Sequence, residues 1–257
     1  MKKFLIASFL AMFIMAIPSS QAKTKIVKPV SSATPVVSIS FDDGDATIYT
    51  NGFPQLKKYN LPATLYLSAS FIGNDSWYMN WNQVKTLNQG GWEIASHGYT
   101  HPDLTQLTDT QIKAELQQSK DLLASHGYTA TSFATPYGEY NSKVLNLIKT
   151  YYQSNRRAWD DDPANEGFNN LSTFDRYNLS ALELSNTMSL NSIKKKIDRA
   201  VSEKKWLVLF LHSVVNTKPQ EYQFKSSVLE QVAGYLSQLQ SQGRLKVSTI
   251  QNVVGSK

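Results

Sequence analysis

Along the 257-residue chain, apolar residues keep two different periods. Short runs, apolar on consecutive or alternate positions, fall at 36–41, 63–68, 92–96, 132–134, 152–154, 206–211 and 245–248. Their lengths suit strands. Between them, apolar residues recur at helical spacing near 47–59, 80–89, 109–125, 142–150, 189–204 and 225–242. Strands that alternate with helices imply parallel strands joined by crossover helices. The run W-L-V-L-F-L at 206–211 has no polar position, as expected of a strand covered on both faces. Residues 160–180 keep neither period and read as a long loop, a kind of segment that is often functional.

This pattern fits a single α/β unit, a closed or nearly closed (β/α) barrel, better than an open sheet. Chemistry in such barrels gathers where strands end. The polar residues obey that rule. Asp42 and Asp43 follow the first strand, His97 the third with His101 four positions on, Tyr137 the fourth, Arg156 and Arg157 the fifth, and His212 the run at 206–211. Of the four histidines, only His126 stands apart, before a glycine where a helix should end.

The first 22 residues open with Lys2 and Lys3, continue with an apolar stretch over 4–17, and place Ser20 and Ala22 before an expected cut. That is the pattern of a signal peptide, too short for the roughly 20 residues of a membrane span; an uncleaved anchor is the alternative. Residues 23–34 read as a short polar tether, and 35–257 as the folded domain. The expected destination is the periplasm or the cell exterior. With no cysteine, neither disulfides nor lipid attachment at a cysteine is available. The net charge of +6 becomes 6 − 2 = +4 without the two N-terminal lysines. The lysines at 194–196 sit within a helical pattern and read as a solvated face, so no nucleic-acid partner is expected.

Two imidazoles and a carboxylate form a common set for a divalent metal. With two aspartates side by side, one can hold the metal and the other can accept a proton. Helix capping by Asp42 or Asp43 is the plainer alternative.

These motifs resemble the polysaccharide deacetylases, the NodB-homology domain of carbohydrate esterase family 4. S-F-D-D-G (40–44), H-G-Y-T-H (97–101), T-P-Y-G (135–138) and L-F-L-H-S (209–213) stand in the family's order, and the resemblance runs over about 36–254. It implies a distorted (β/α) barrel with seven or eight parallel strands, and a hydrolase with one divalent ion, foremost zinc, with cobalt or nickel as alternatives, and an acetylated polysaccharide as partner. It further implies Asp43, His97 and His101 as metal ligands, Asp42 as general base and His212 as general acid. Tyr137 would supply an oxyanion-binding N–H, Leu211 with Leu209 would line an acetyl pocket, and Thr100 would brace the histidine loop. Two positions depart from the family pattern. Ala134 stands where an arginine usually pairs with the base, and the fourth motif, D-x-x-D-W, is absent. Arg156, or else Arg157, would supply the guanidinium. The F-A-x-P-Y-G variant leans toward poly-N-acetylglucosamine and related exopolysaccharides. An O-acetyl esterase acting on acetylxylan, and a carbohydrate-binding homologue without activity, are the alternative readings. Aromatic residues at 76–81 and Trp159 are candidates for stacking on sugar rings, and Asp160, Asp161 and Asp162 for polar contacts to them.

Overall fold

The computed structural model describes residues 34–158 and 162–255. The expected signal peptide, all of the expected tether but Thr34, and Trp159, Asp160 and Asp161 lie outside the described residues.

The chain runs β1 (Val36–Phe41), a π-helical turn (Ile48–Gly52), α1 (Phe53–Lys57), β2 (Thr64–Leu67), α2 (Trp81–Gln89), β3 (Glu93–Ser96), α3 (Asp109–Ser125), β4 (Ser132–Ala134), α4 (Ser142–Tyr151) and β5 (Ser154–Arg156). Then follow β6 (Phe168–Asn169), β7 (Leu182–Glu183), α5 (Leu190–Glu203), β8 (Trp206–Leu211), β9 (Ser213–Val215), β10 (Gln223–Lys225), α6 (Ser226–Ser241), β11 (Lys246–Val247) and α7 (Ile250–Val254). The main sheet runs β5-β4-β3-β2-β1-β8-β6, with β11 beside β1 and β7 beside β8. Among the described residues its pairings are parallel except that of β6 with β8, so eight strands run parallel. A bridge between Arg156 and Leu179 links β5 to the segment leading into β7. The sheet is thereby curled into a distorted barrel.

Strand alternation divides the core in two. Val37, Ile39 and Phe41 of β1 and Leu207, Leu209 and Leu211 of β8 face the helix layer, against residues such as Leu56, Ile197 and Leu229. Trp206, Val208 and Phe210 face inward, with Tyr66, Ala95, Ala134, Leu179 and Ile250. This overturns the expectation for Leu211 and Leu209. Both pack against helices, and Phe210, of opposite parity, faces the interior.

The helices begin where their capping residues stand. Asn80 with Gln83 and Thr108 with Gln111 form reciprocal caps at the starts of α2 and α3, satisfying backbone donors that the first turn leaves open. His126 caps the C-terminal end of α3 and stacks on Trp81 at 3.7 Å. One expected strand is displaced. Residues 152–154 read as strand, but β5 covers Ser154–Arg156. Tyr152 instead ends α4, and its hydroxyl lies within hydrogen-bond distance of Ser96 Oγ (3.0 Å) and of the Leu116 carbonyl (3.1 Å).

Candidate active site

Asp42 leaves β1 pointing inward. Asp43 then takes a left-handed backbone, φ 70°, and Gly44 follows at φ 96°. A side chain on Gly44 would meet Ile72 Cδ1 at 2.5 Å, so this tight exit requires glycine. Asp45, not Asp42 or Asp43, accepts the Thr47 N–H (2.7 Å). It also accepts the Ser213 hydroxyl (2.9 Å). Local capping therefore leaves both preceding carboxylates available.

The second group comes from the end of β3. His97 is buried, and its Nδ1 lies 2.8 Å from the Ala134 carbonyl. A carbonyl only accepts, so Nδ1 carries the hydrogen and the Nε2 lone pair is directed away from it. That Nε2 lies 3.6 Å from Asp43 Oδ1, and His101 Nε2 lies 3.3 Å from the same oxygen. Asp43 Oδ1 is buried and accepts no hydrogen bond. Burial pushes the His97 pKa down to about 4, which keeps the ring neutral. A buried carboxylate oxygen without a donor, facing two imidazole nitrogens, fits a divalent cation. The three ligand atoms lie within 4.8 Å of one another. The loop that carries the histidines is tied to α3. Glu115 accepts from the Tyr99 and Thr100 N–H groups (both 2.9 Å) and from the Thr100 hydroxyl (2.5 Å). Sequence reasoning found Thr100 but missed Glu115, its partner.

Arg156 donates from Nη2 to Asp42 Oδ2 at 2.5 Å, with both side chains almost fully buried. The sheet register explains how. Arg156 is the pairing partner of Ala134. On neighbouring parallel strands at the same level, both point into the barrel, so the guanidinium enters from one strand over. It lies between the rings of Tyr66 (5.1 Å) and Phe210 (4.5 Å). Arg157, of opposite parity, reaches Tyr140 Oη instead, at 3.4 Å. Burial alone would raise the Asp42 pKa, but Arg156, then His97 and His212, outweigh it and hold the carboxyl below its usual value.

His212 faces this group across a cavity of about 370 Å³ that also has Asp42, Asp43, His97, His101, Tyr137, Arg156 and Phe210 in its wall. Its Nδ1 lies 3.4 Å from Glu183 Oε1. Burial lowers the imidazole pKa, but the Glu183 carboxylate and the Asp42 and Asp43 charges outweigh this and raise it. Glu183 sits on the two-residue β7, distant in sequence from every motif, and nothing local marked it. Tyr137, at φ 58°, packs edge-on against His101 at 4.6 Å. Leu211 is absent from the cavity wall; Phe210, Ala158 and Tyr222 provide its apolar part. Trp77, Tyr78 and Trp81, from the aromatic stretch at 76–81, do not line it either. Asp162 lies in an exposed turn and accepts from the Ala164 N–H (2.9 Å).

A parallel barrel with charged groups at the C-terminal ends of its strands thus brings a cation-sized triad and a buried Asp–Arg pair to one cavity. Residues 30–153 match the family model described as "Polysaccharide deacetylase". These residues make up just under half of the chain, and over them it is similar to the polysaccharide deacetylase family. A poly-beta-1,6-N-acetyl-D-glucosamine N-deacetylase of Staphylococcus aureus (strain MRSA252) is 32% identical over 127 residues, covering 44% of this chain and 44% of that one. The chain thus spans less than half the length of the curated relatives it matches. Among solved structures, a family 4 carbohydrate esterase from Streptomyces lividans in complex with acetate superposes with a TM-score of 0.55 at 21% identity, over 85% of this chain and 93% of that one. The Xyl-CE4 domain of a multidomain xylanase from the hindgut metagenome of Trinervitermes trinervoides gives 0.57 at 18% identity, over 87% and 91%. Both share the fold.

Proposed function

We propose that the protein is a metal-dependent hydrolase that removes N-acetyl groups from a polysaccharide containing N-acetylglucosamine and releases acetate. The observation that carries this reading is the meeting, in one cavity, of an ionised buried aspartate, a cation-ready triad and an imidazole of raised pKa. Asp43, His97 and His101 would hold one divalent ion, zinc before cobalt or nickel, since this donor set accepts all three. When bound, such an ion supplies a Lewis acid beside the acetyl carbonyl.

The chain's own groups divide the remaining work. Asp42 Oδ1 is buried without a hydrogen-bond donor, and this carboxylate takes the proton of the attacking water. Arg156 keeps Asp42 ionised and fixes its orientation. The Tyr137 N–H donates to the oxygen that gains charge as water adds. His212 gives its proton to the departing amine, and Glu183 keeps that imidazole protonated and oriented. The neighbours thus pull the two pKa values apart, leaving Asp42 ionised and His212 protonated.

The exopolysaccharide lean rests on the Staphylococcus aureus relative, named for poly-beta-1,6-N-acetyl-D-glucosamine. Residues 1–22 act as the export signal, 23–34 as the tether and 35–257 as the catalytic unit, so the reaction takes place in the periplasm or outside the cell. Among the described residues, no helix is long and apolar enough to cross a membrane. The test is acetate release from poly-N-acetylglucosamine, chitin oligomers, peptidoglycan and acetylxylan, together with metal analysis. Acetate from the N-acetylated polymers by metal-loaded protein is the expected result. Release from acetylxylan alone makes it an O-acetyl esterase. No metal and no acetate from any of them leaves a carbohydrate-binding protein.

A further inference from the structure

Two aromatic side chains stand open to solvent at the mouth of the cavity, Tyr137 at 57% and Tyr222 at 54% exposure. Neither belongs to the two buried clusters or to the residues packed against them. Both have left-handed backbones, with φ of 58° and 57°. A bulky residue held in that region costs about 1–3 kcal/mol, so the chain accepts local strain twice at a single opening.

The rings flank the site from different elements. Tyr137 packs edge-on to His101, and Tyr222 edge-on to His212 at 5.5 Å. Tyr222 is held by its surroundings. The Ser213 N–H donates to the Tyr222 carbonyl (3.3 Å), the Gln220 N–H to Gln223 Oε1 (2.9 Å) and the Gln223 N–H to the Gln220 carbonyl (3.1 Å). These bonds fix the turn to the residue that follows His212. Neither core packing nor capping explains the arrangement. A pyranose offers a C–H face that packs on an aromatic ring, while its hydroxyls remain hydrated. An aromatic ring beside convergent polar groups is the chemistry of a small-ligand site.

We propose that Tyr222 is the stacking platform for the sugar ring whose acetyl group enters the cavity, with Tyr137 flanking it on the side of His101. The inference rests on the deacetylase reading and adds to it a binding residue outside every sequence motif. Tyr222 is a binding residue and takes no proton in the reaction.

The test compares wild type with Tyr222→Ala, Tyr222→Phe and Glu221→Ala, a change at the exposed neighbouring position. Each protein is assayed on an N-acetylglucosamine oligomer and on 4-nitrophenyl acetate, which has no sugar ring. Oligomer binding is measured separately by calorimetry. Tyr222→Ala should weaken oligomer binding and raise the oligomer KM about three- to tenfold, the size of one aromatic contact. Its KM for the small ester should shift by less. Tyr222→Phe should keep the affinity, and Glu221→Ala should behave as wild type. Equal losses on both substrates, equal losses in Tyr222→Ala and Glu221→Ala, or unchanged oligomer affinity in Tyr222→Ala overturns the proposal. A wild type that binds the oligomer but releases no acetate removes the deacetylase reading, and the binding comparison still decides the role of Tyr222. A wild type that does neither overturns both.

Discussion

The barrel holds a buried carboxylate at each end, and the two behave in opposite ways. Asp42 and Glu93 are each only 2% exposed. Burial pushes both pKa values up. At Glu93 it prevails, because the partners there are neutral: the Thr64 hydroxyl (2.8 Å) and the Gln251 N–H (2.9 Å). At Asp42 a guanidinium and two imidazoles reverse the direction. Depth alone therefore does not set a carboxylate's chemistry; a nearby cation does. The upper end is built to keep a charge. The lower end uses its carboxyl to hold α7 against the barrel floor, where the Ile250 N–H also donates to Thr64 Oγ1 (3.0 Å).

The sharpest way to break this contrast is to neutralise the upper carboxylates one at a time. Asp42→Asn should lower kcat by about 10²–10⁴-fold, as loss of a general base does, with metal content unchanged. Asp43→Asn should lose the metal. Equal metal loss in both variants would show that the two aspartates share one job.

Arg156→Ala should come next, with kcat reduced on the order of 10²-fold through a misplaced base and metal retained. It should also cost about 3–5 kcal/mol of unfolding free energy, since Asp42 is left as an unpaired buried charge. Near-wild-type turnover would rule out Arg156 as the partner of the base.

Glu183→Gln should have a smaller effect, roughly tenfold in kcat at neutral pH, below the full worth of an acid catalyst. Its diagnostic is the pH profile. Removing this anion lowers the His212 pKa, so the imidazole loses its proton earlier and the alkaline limb moves to lower pH. An unmoved limb would leave Glu183 without a role in tuning His212.

The weakest effect belongs to the lower end. Glu93→Gln should leave turnover unchanged and alter stability by about 1 kcal/mol. The sign follows from linkage. A carboxyl whose folded pKa is raised adds stability below its unfolded pKa, and that contribution is lost as pH rises through the folded value. Denaturant unfolding should therefore show Glu93→Gln gaining on wild type as pH rises from 4 to 8.

Much of the fold was legible in the sequence because period and length are local properties. The strands at 36–41, 132–134 and 206–211 and the helix at 109–125 stand where the pattern put them. The displaced strand shows the limit. Tyr152 looks like a strand residue and Arg156 does not, yet Arg156 is in the sheet because Asp42, far away in sequence, compensates its charge. The error at Leu211 was avoidable. His212 faces the cavity, so period-two alternation places Phe210 on the same face and Leu211 on the other.

Residue order and backbone period were enough to establish that parallel strands alternate with helices, and that Asp42, Asp43, His97, His101 and His212 stand at strand ends. Which groups serve one another emerged only when the chain was folded: Arg156 with Asp42, Glu183 with His212, Glu115 with the histidine loop, and Tyr222 at the cavity mouth. Each of these depends on strand register and side-chain parity across the curled sheet, and neither is written within a stretch short enough to read.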